Sequence, residues 1–352
     1  MTSNKKRIAE VDIARGITIF LVVMSHTEMP AVLNDVLRTF RMPLFFLVSG
    51  YLFSLTKYQN DLRSLVNNRI RTLIIPYFSA CAIFGVLFLV RSSLGEHTNT
   101  TPPLSEFLIN SLTSEDLPYN PPLWFLVCLF CAEIIFWTGW KLVYNRRILT
   151  QISLFASFSI LGFVIGSYIH LPWRFDIALV AQIFMFFGQT FKSVGLFNTY
   201  RFPWKVIGLS LAAFITCYLI NGKVDMNDRL YGNFAVFALG GISGSILILQ
   251  LTKLLKRVTA IRTVFSLFGR ESLSILMFHV PLAFLVFGYM NKFIFSHAAL
   301  TNNWLAFSVW GTFFSVLSGL FINQVPIARF FLKGIKSNRD AANQNTKYAA
   351  QK

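Results

Sequence analysis

Thr72-Leu-Ile-Ile-Pro-Tyr-Phe-Ser-Ala-Cys-Ala-Ile-Phe-Gly-Val-Leu-Phe-Leu-Val90 is a run of 19 residues without one charged side chain. Wound as an α-helix it spans about 28 Å, close to the roughly 30 Å thickness of a bilayer's hydrocarbon core. The pattern recurs on both sides of it. Ten stretches qualify as spans, at about 13–31, 40–56, 72–90, 122–140, 149–169, 174–191, 205–221, 232–251, 272–290 and 304–322. The composition of the 352-residue chain agrees, with 55% hydrophobic residues, 13% charged residues and 38 phenylalanines. A soluble domain carries about 25% charged residues, so this chain lacks the polar surface to stay in water. Disordered, collagen-like and disulfide-scaffold classes fail on the same figures. The expectation is an all-α, polytopic membrane protein with about ten transmembrane helices, built as a single domain over residues 1–336.

A net charge of +17 suits a nucleic-acid ligand only if it lies in one patch. Here it is divided by topology. With the N-terminus inside, 25 Lys and Arg fall in the N-terminal arm, the connections at 57–71, 141–147, 192–205 and 253–270, and the C-terminal tail. Seven fall on the opposite side. This positive-inside bias places both termini in the cytoplasm, and the basic faces meet anionic headgroups of the lipid bilayer, with no nucleic acid required. The opening Thr2-Ser-Asn-Lys-Lys-Arg7 imitates a signal peptide. No small-residue cleavage site follows it, and the apolar run carries Arg15 and His26, so a retained first helix is expected. The loop at about 91–121 is proline-rich and expected to be irregular. The segment 337–352, rich in Asn, Gln, Ala and Lys, is expected to be a disordered cytoplasmic tail.

Cys81, Cys128, Cys131 and Cys217 all lie in apolar segments. Cys128-x-x-Cys131 has neither a second pair nor a nearby His to complete a zinc set, so it reads as helix packing and no metal is expected. Gly162-x-x-x-Gly166 and Gly240-x-x-x-Gly244 permit close helix approach.

Ionisable side chains inside membrane helices are expensive and mark function by default. The first helix carries Asp12, Arg15 and His26. Eleven residues separate Arg15 from His26, about 20° past three full turns, so both share one face some 16 Å apart along the axis. An anion-binding cation at one end and a titratable imidazole at the other suit a donor with phosphates at one end and a reactive carbonyl at the other. Acetyl-CoA has that shape, and a neutral His can take the proton of an attacking hydroxyl. Arg38 and Arg41, one turn apart, either snorkel to the interface, hold a polar acceptor, or meet a carboxylate such as Glu28. Arg69 and Arg71 suit phosphate binding or a positive-inside anchor. Trp124 opens the fourth span, and Glu133 lies near its middle, placed to orient His26 or to pair with an arginine. His279 is the second intramembrane histidine and the rival base. His97, His170 and His297 fall in external loops.

The chain resembles the acyltransferase-3 family of membrane O-acyltransferases, most closely its fucose 4-O-acetylase-like branch. The resemblance rests on Asp12-x-x-Arg15-Gly16, Val22-Val-Met-Ser-His26, Phe40-Arg-Met-Pro-Leu-Phe-Phe46-x-x-Ser49-Gly-Tyr-Leu52, Arg69-x-Arg71 before Pro76-Tyr77, Leu123-Trp-Phe-Leu126 and Ser274-x-Leu276-x-x-His279-x-Pro281. It runs in order over residues 8–330. It implies a multi-pass enzyme of a bacterial inner membrane that moves an acetyl group from cytoplasmic acetyl-CoA to a sugar hydroxyl of a surface polysaccharide or glycolipid. By the same resemblance His26 is the base, Arg15 its partner, and Arg69 and Arg71 part of the CoA-binding element. Many members space two arginines by two residues, where this chain has one between Arg69 and Arg71. Some relatives carry an added hydrolase-like domain, and here transfer is expected within the membrane domain.

Taken together, the catalytic set is expected to be His26, Arg15 and Glu133, the donor-binding set Arg15, Arg69 and Arg71, and the acceptor-binding set Arg41, Trp124 and His279. The rival reading, a transporter or flippase for a polar or lipid-linked sugar, would favour paired repeats and broken helices near mid-membrane, and the sequence shows neither.

Overall fold

The computed structural model describes residues 8–94, 104–196, 203–293 and 303–335. The tail 337–352, the first seven residues, His97 and His297 lie outside them. In chain order the helices are α1 (Ala9–Ser25), α2 (Ala31–Leu52), α3 (Leu62–Ser93), α4 (Leu104–Thr113), α5 (Pro121–Val143), α6 (Ile148–Gly166), α7 (Phe175–Val180), α8 (Gln182–Ser193), α9 (Trp204–Asn221), α10 (Phe234–Leu255), α11 (Thr259–Arg270), α12 (Ser272–Met290), α13 (Trp304–Ile322) and α14 (Pro326–Lys333).

Seven of these, α3, α5, α6, α9, α10, α12 and α13, are long and apolar enough to cross a membrane, among the described residues. Their outer faces are apolar: Ile83 and Val86 on α3, Ile160 on α6, Leu209 and Leu219 on α9, and Val309 and Phe313 on α13 are all exposed. Their interior holds Arg41, Glu133, Gln182, Gln250 and His279 in buried positions. Polar inside and greasy outside is the arrangement a hydrocarbon solvent rewards.

The other three expected spans are helical as well, with boundaries set by local chemistry. The first stops at Ser25, not at 31; Pro30, which disfavours helical geometry at Met29, keeps it from running on and stands at the N-cap of α2. The second expected span, 40–56, falls in the later part of α2, whose first half carries Asp35, Arg38 and Arg41. The sixth divides at Ala181 into α7 and α8. Ser159 of α6 sits in that break, accepting from the Ile183 N–H at 3.0 Å and donating to the Val180 carbonyl at 3.0 Å. A side chain inserted into the helical ladder accounts for the interruption.

Glycines set the helix spacing. A methyl on Gly16 would lie 1.9 Å from the Phe265 carbonyl oxygen, and one on Gly269 2.0 Å from that of Asp12. So α1 and α11 cross backbone to backbone. The same holds for α2 and α8, where a methyl on Gly188 would lie 1.9 Å from the Leu47 carbonyl oxygen. Gly162 and Gly166 lie against Asp176 of α7, and Gly240 and Gly244 against Thr39 and Phe40 of α2, the close approaches their spacing allows. All four cysteines are free and buried, and no group of His, Cys, Asp and Glu suited to a metal occurs among the described residues.

Candidate active site

Three cavities lie in series and share lining residues, and the series is termed the passage. The basal chamber, with an empty volume of about 1710 Å³, opens where the described chain ends, between Ile8 and Ile335, and is walled by Asp12, Arg15, Lys192, Arg270 and Lys333. The middle chamber, about 1090 Å³, shares Arg15, Leu52, Thr72 and Leu273 with it and adds Ser49, Arg69, Glu133 and Ser272. The distal chamber, about 770 Å³, is walled by Ser25, His26, Arg38, Arg41, Trp124, Asp225, Asn227 and Asp228. Phe45, Phe125 and Leu276 belong to both the middle and distal walls and make an apolar neck between them. The rings of Phe45 and Phe125 stand 5.2 Å apart at that neck.

Helix α1 lays its stripe along this passage. Arg15 borders the basal and middle chambers and donates from Nη2 to Ser272 Oγ at 2.7 Å. His26, one residue beyond the last turn of α1, borders the distal chamber with an exposed side chain. Its backbone N–H closes on the Val23 carbonyl at 3.1 Å, tightening the helix end.

The middle chamber answers the question left open for Glu133. Its carboxylate pairs with Arg69 Nε, so the buried acid of α5 has an arginine partner from α3. Arg71, two residues on, lies in a π-helical turn over Ile70–Ile74 and donates to Asn68 at 3.1 Å. It does not line any of the three chambers.

In the distal chamber Arg38 meets Asp225 at 3.2 Å and Asp35 at 3.8 Å, while Arg41 donates to Asn34 at 3.4 Å. The carboxylates facing these arginines are therefore Asp35 and Asp225, not Glu28. Asp225 stands in the loop between α9 and α10, where burial and neighbouring Asp228 raise its pKa against the opposing pull of Arg38 and Arg41. Trp124 closes the chamber from the first turn of α5.

His279 is fully buried and lies behind His26, their ring centroids 5.2 Å apart. It is not on the chamber wall. It begins a π-helical turn over His279–Phe284. Pro281 has no N–H to give the Met277 carbonyl, and the Asn120 side chain donates there at 2.9 Å instead.

Of the residues singled out in the sequence, Arg15, Arg69 and Glu133 thus meet in one chamber, and His26, Arg41 and Trp124 in the next. Sequence reasoning missed Asp225, whose short polar loop Asp225-Met-Asn-Asp228 between two apolar runs was the available signal. It also missed Ser272, Lys192 and Arg270, which only the folded chain brings to Arg15.

Cavities walled by guanidinium groups, carboxylates and an imidazole lie inside a bundle of apolar helices, the build of a multi-pass membrane protein. The chain belongs to the acyltransferase-3 family: the family model, described as an acyltransferase domain, matches residues 8–331. It is a membrane acyltransferase by that membership. Comparison with curated proteins and with solved structures gives no match.

Proposed function

We propose that this protein is an O-acetyltransferase of the fucose 4-O-acetylase-like kind, carrying an acetyl group from cytoplasmic acetyl-CoA to a sugar hydroxyl of a surface polysaccharide or glycolipid. It crosses a bacterial inner membrane ten times with both termini in the cytoplasm, as the distribution of Lys and Arg favours. The observation that carries the reading is the shared walls of the three chambers, with Arg15 toward one mouth and His26 beyond the neck.

The donor's phosphates rest in the basal chamber against Arg15 and neighbouring cations; Arg69 of α3 adds its charge from the middle chamber, and Arg71, behind the walls, contributes to the basic element only by its field. The pantetheine arm extends through the middle chamber, and the thioester meets the neck. Arg41 and Trp124 hold the sugar. His26 takes the hydroxyl proton as the oxygen attacks the thioester carbonyl. Glu133 pairs with Arg69 and offsets its charge beside the pantetheine path.

The test compares surface glycans by mass spectrometry in cells carrying the gene, lacking it, or carrying His26→Ala. Acetylation is expected with the gene and absent from the other two, at equal membrane levels of the variant. Normal acetylation by His26→Ala protein removes the mechanism. Purified protein that neither binds nor turns over acetyl-CoA removes the donor.

A further inference from the structure

We infer that His279 is a positioning residue for His26, accepting a hydrogen bond from the His26 ring and thereby setting which of its nitrogens faces the distal chamber. The inference rests on the acetyl-transfer reading above and adds a second histidine to it.

The argument starts from a fixed tautomer. His279 Nδ1 lies 2.6 Å from the Ile275 carbonyl oxygen. A carbonyl only accepts, so Nδ1 carries the hydrogen of the neutral ring and Nε2 is left with a lone pair. That Nε2 is buried and has no hydrogen-bond partner. Buried polar atoms without a partner are rare and costly, and each asks for a reason. The rings against His279 are Phe284, edge-on at 5.7 Å, and His26 at 5.2 Å. Phe284 has no polar hydrogen to give. His26 has one.

The two rings also differ in freedom. His279 is held by its own bond to Ile275 and by a π-helical turn whose freed carbonyl Asn120 occupies. His26 stands past the end of α1 with an exposed side chain. A held acceptor beside a movable donor orients the donor, the role a second group commonly plays for a functional histidine.

In the reaction His26 gives one N–H to His279 Nε2 and turns its bare nitrogen to the sugar. That nitrogen takes the hydroxyl proton as the oxygen–carbon bond forms. Collapse of the tetrahedral intermediate breaks the carbon–sulfur bond, and the departing sulfur takes the same proton from the imidazolium. The products are the acetyl ester and CoA thiol. His279 keeps its protonation state throughout and stabilises the imidazolium while it exists.

The experiment uses the purified full chain with radiolabelled acetyl-CoA and glycan extracted from cells lacking the gene. His279→Leu is expected to lower kcat by about 10–100-fold, the usual effect of losing an orienting partner, with the KM for acetyl-CoA unchanged. His279→Gln, which keeps an acceptor toward His26, is expected to recover most of that loss. His26→Ala combined with His279→Leu is expected to be no slower than His26→Ala alone, since the two act as one unit. Wild-type kcat in His279→Leu, or equal losses in the Leu and Gln variants, overturns the inference while leaving acetyl transfer standing. An inactive wild-type protein instead overturns the transfer reading itself, and this inference with it. Should the leucine variant fail to reach the membrane, His279→Asn replaces it, being long enough for Ile275 but too short for His26. It is expected to show the same loss, and wild-type kcat in it overturns the inference.

Discussion

Two sets of arginines sit inside this protein, and they differ in how fully they are matched. Arg229 gives Nε to Asp176 at 2.7 Å and reaches Glu115 at 3.3 Å with Nη2. Arg174 donates to the Ser114 carbonyl at 3.0 Å, to the Glu115 carbonyl, and meets the Glu115 carboxylate at 3.3 Å. Neither lines the passage. Along the passage, by contrast, Arg15 makes one hydrogen bond, to the neutral Ser272, with Asp12 as a carboxylate neighbour it does not hydrogen-bond, and Arg41 has one long bond to Asn34 with its Nε unmatched. Buried charge alone therefore marks nothing here. What separates Arg174 and Arg229 from Arg15 and Arg41 is saturation, while Arg38 and Arg69 of the passage stand between, each paired with a carboxylate. A saturated guanidinium holds the fold together, and an unsaturated one beside a cavity has capacity left for a ligand.

The largest expected effect lies at the end of the passage. His26→Ala removes the proposed base and should slow the proposed acetyl transfer by about 10²–10⁴-fold in a radiolabel assay, with folding intact. Arg229→Leu tests the opposite side of the contrast. It strands Asp176, and loss of one partner of a buried pair costs about 3–5 kcal/mol, read as a fall in thermal unfolding temperature in detergent. Acetyl-CoA affinity of the folded fraction should stay unchanged. Arg15→Ala should do the reverse, weakening acetyl-CoA binding by about 1.5–3 kcal/mol, roughly 10–100-fold in Kd by titration, with little change in melting. Glu133→Gln sharpens the comparison further, because it frees Arg69 from its carboxylate. Tighter acetyl-CoA binding with unchanged kcat is expected from that pairing, and a collapse of kcat would support the catalytic role the sequence suggested for Glu133. The smallest effect is expected at Lys256, which pairs with Glu10 near the chain's basal end while its own side chain is one-third exposed. Lys256→Ala should cost about 0.2–1 kcal/mol and leave transfer unaffected.

The chain's apolar runs were legible because hydrocarbon imposes one rule on every turn, so Thr72–Val90 announces its helix without help from any neighbour. The alignment of Arg15 with His26 was legible for a related reason, since the helical repeat fixes it within one element. The break at Ala181 was not, because its cause is a serine on α6 more than twenty residues earlier. The end of α1 at Ser25 was partly written in Pro30, which outweighs the apolar run around it. Glu133 offered two partners in sequence, and only the packing of α3 on α5 chose Arg69. Asp225 and Ser272 needed the whole fold, as each reaches its arginine across more than 180 residues of chain.

The constriction of Phe45, Phe125 and Leu276 has a consequence for the cell that hosts the protein. A continuous wet tunnel through an energised membrane would drain ions and dissipate the gradient that powers the cell. Aromatic and aliphatic side chains packed at one waist expel water when idle, in the manner of a hydrophobic gate. On the proposed function only the slender, uncharged tip of the donor enters such a waist, which would keep the host electrically sealed while the acyl group is carried across.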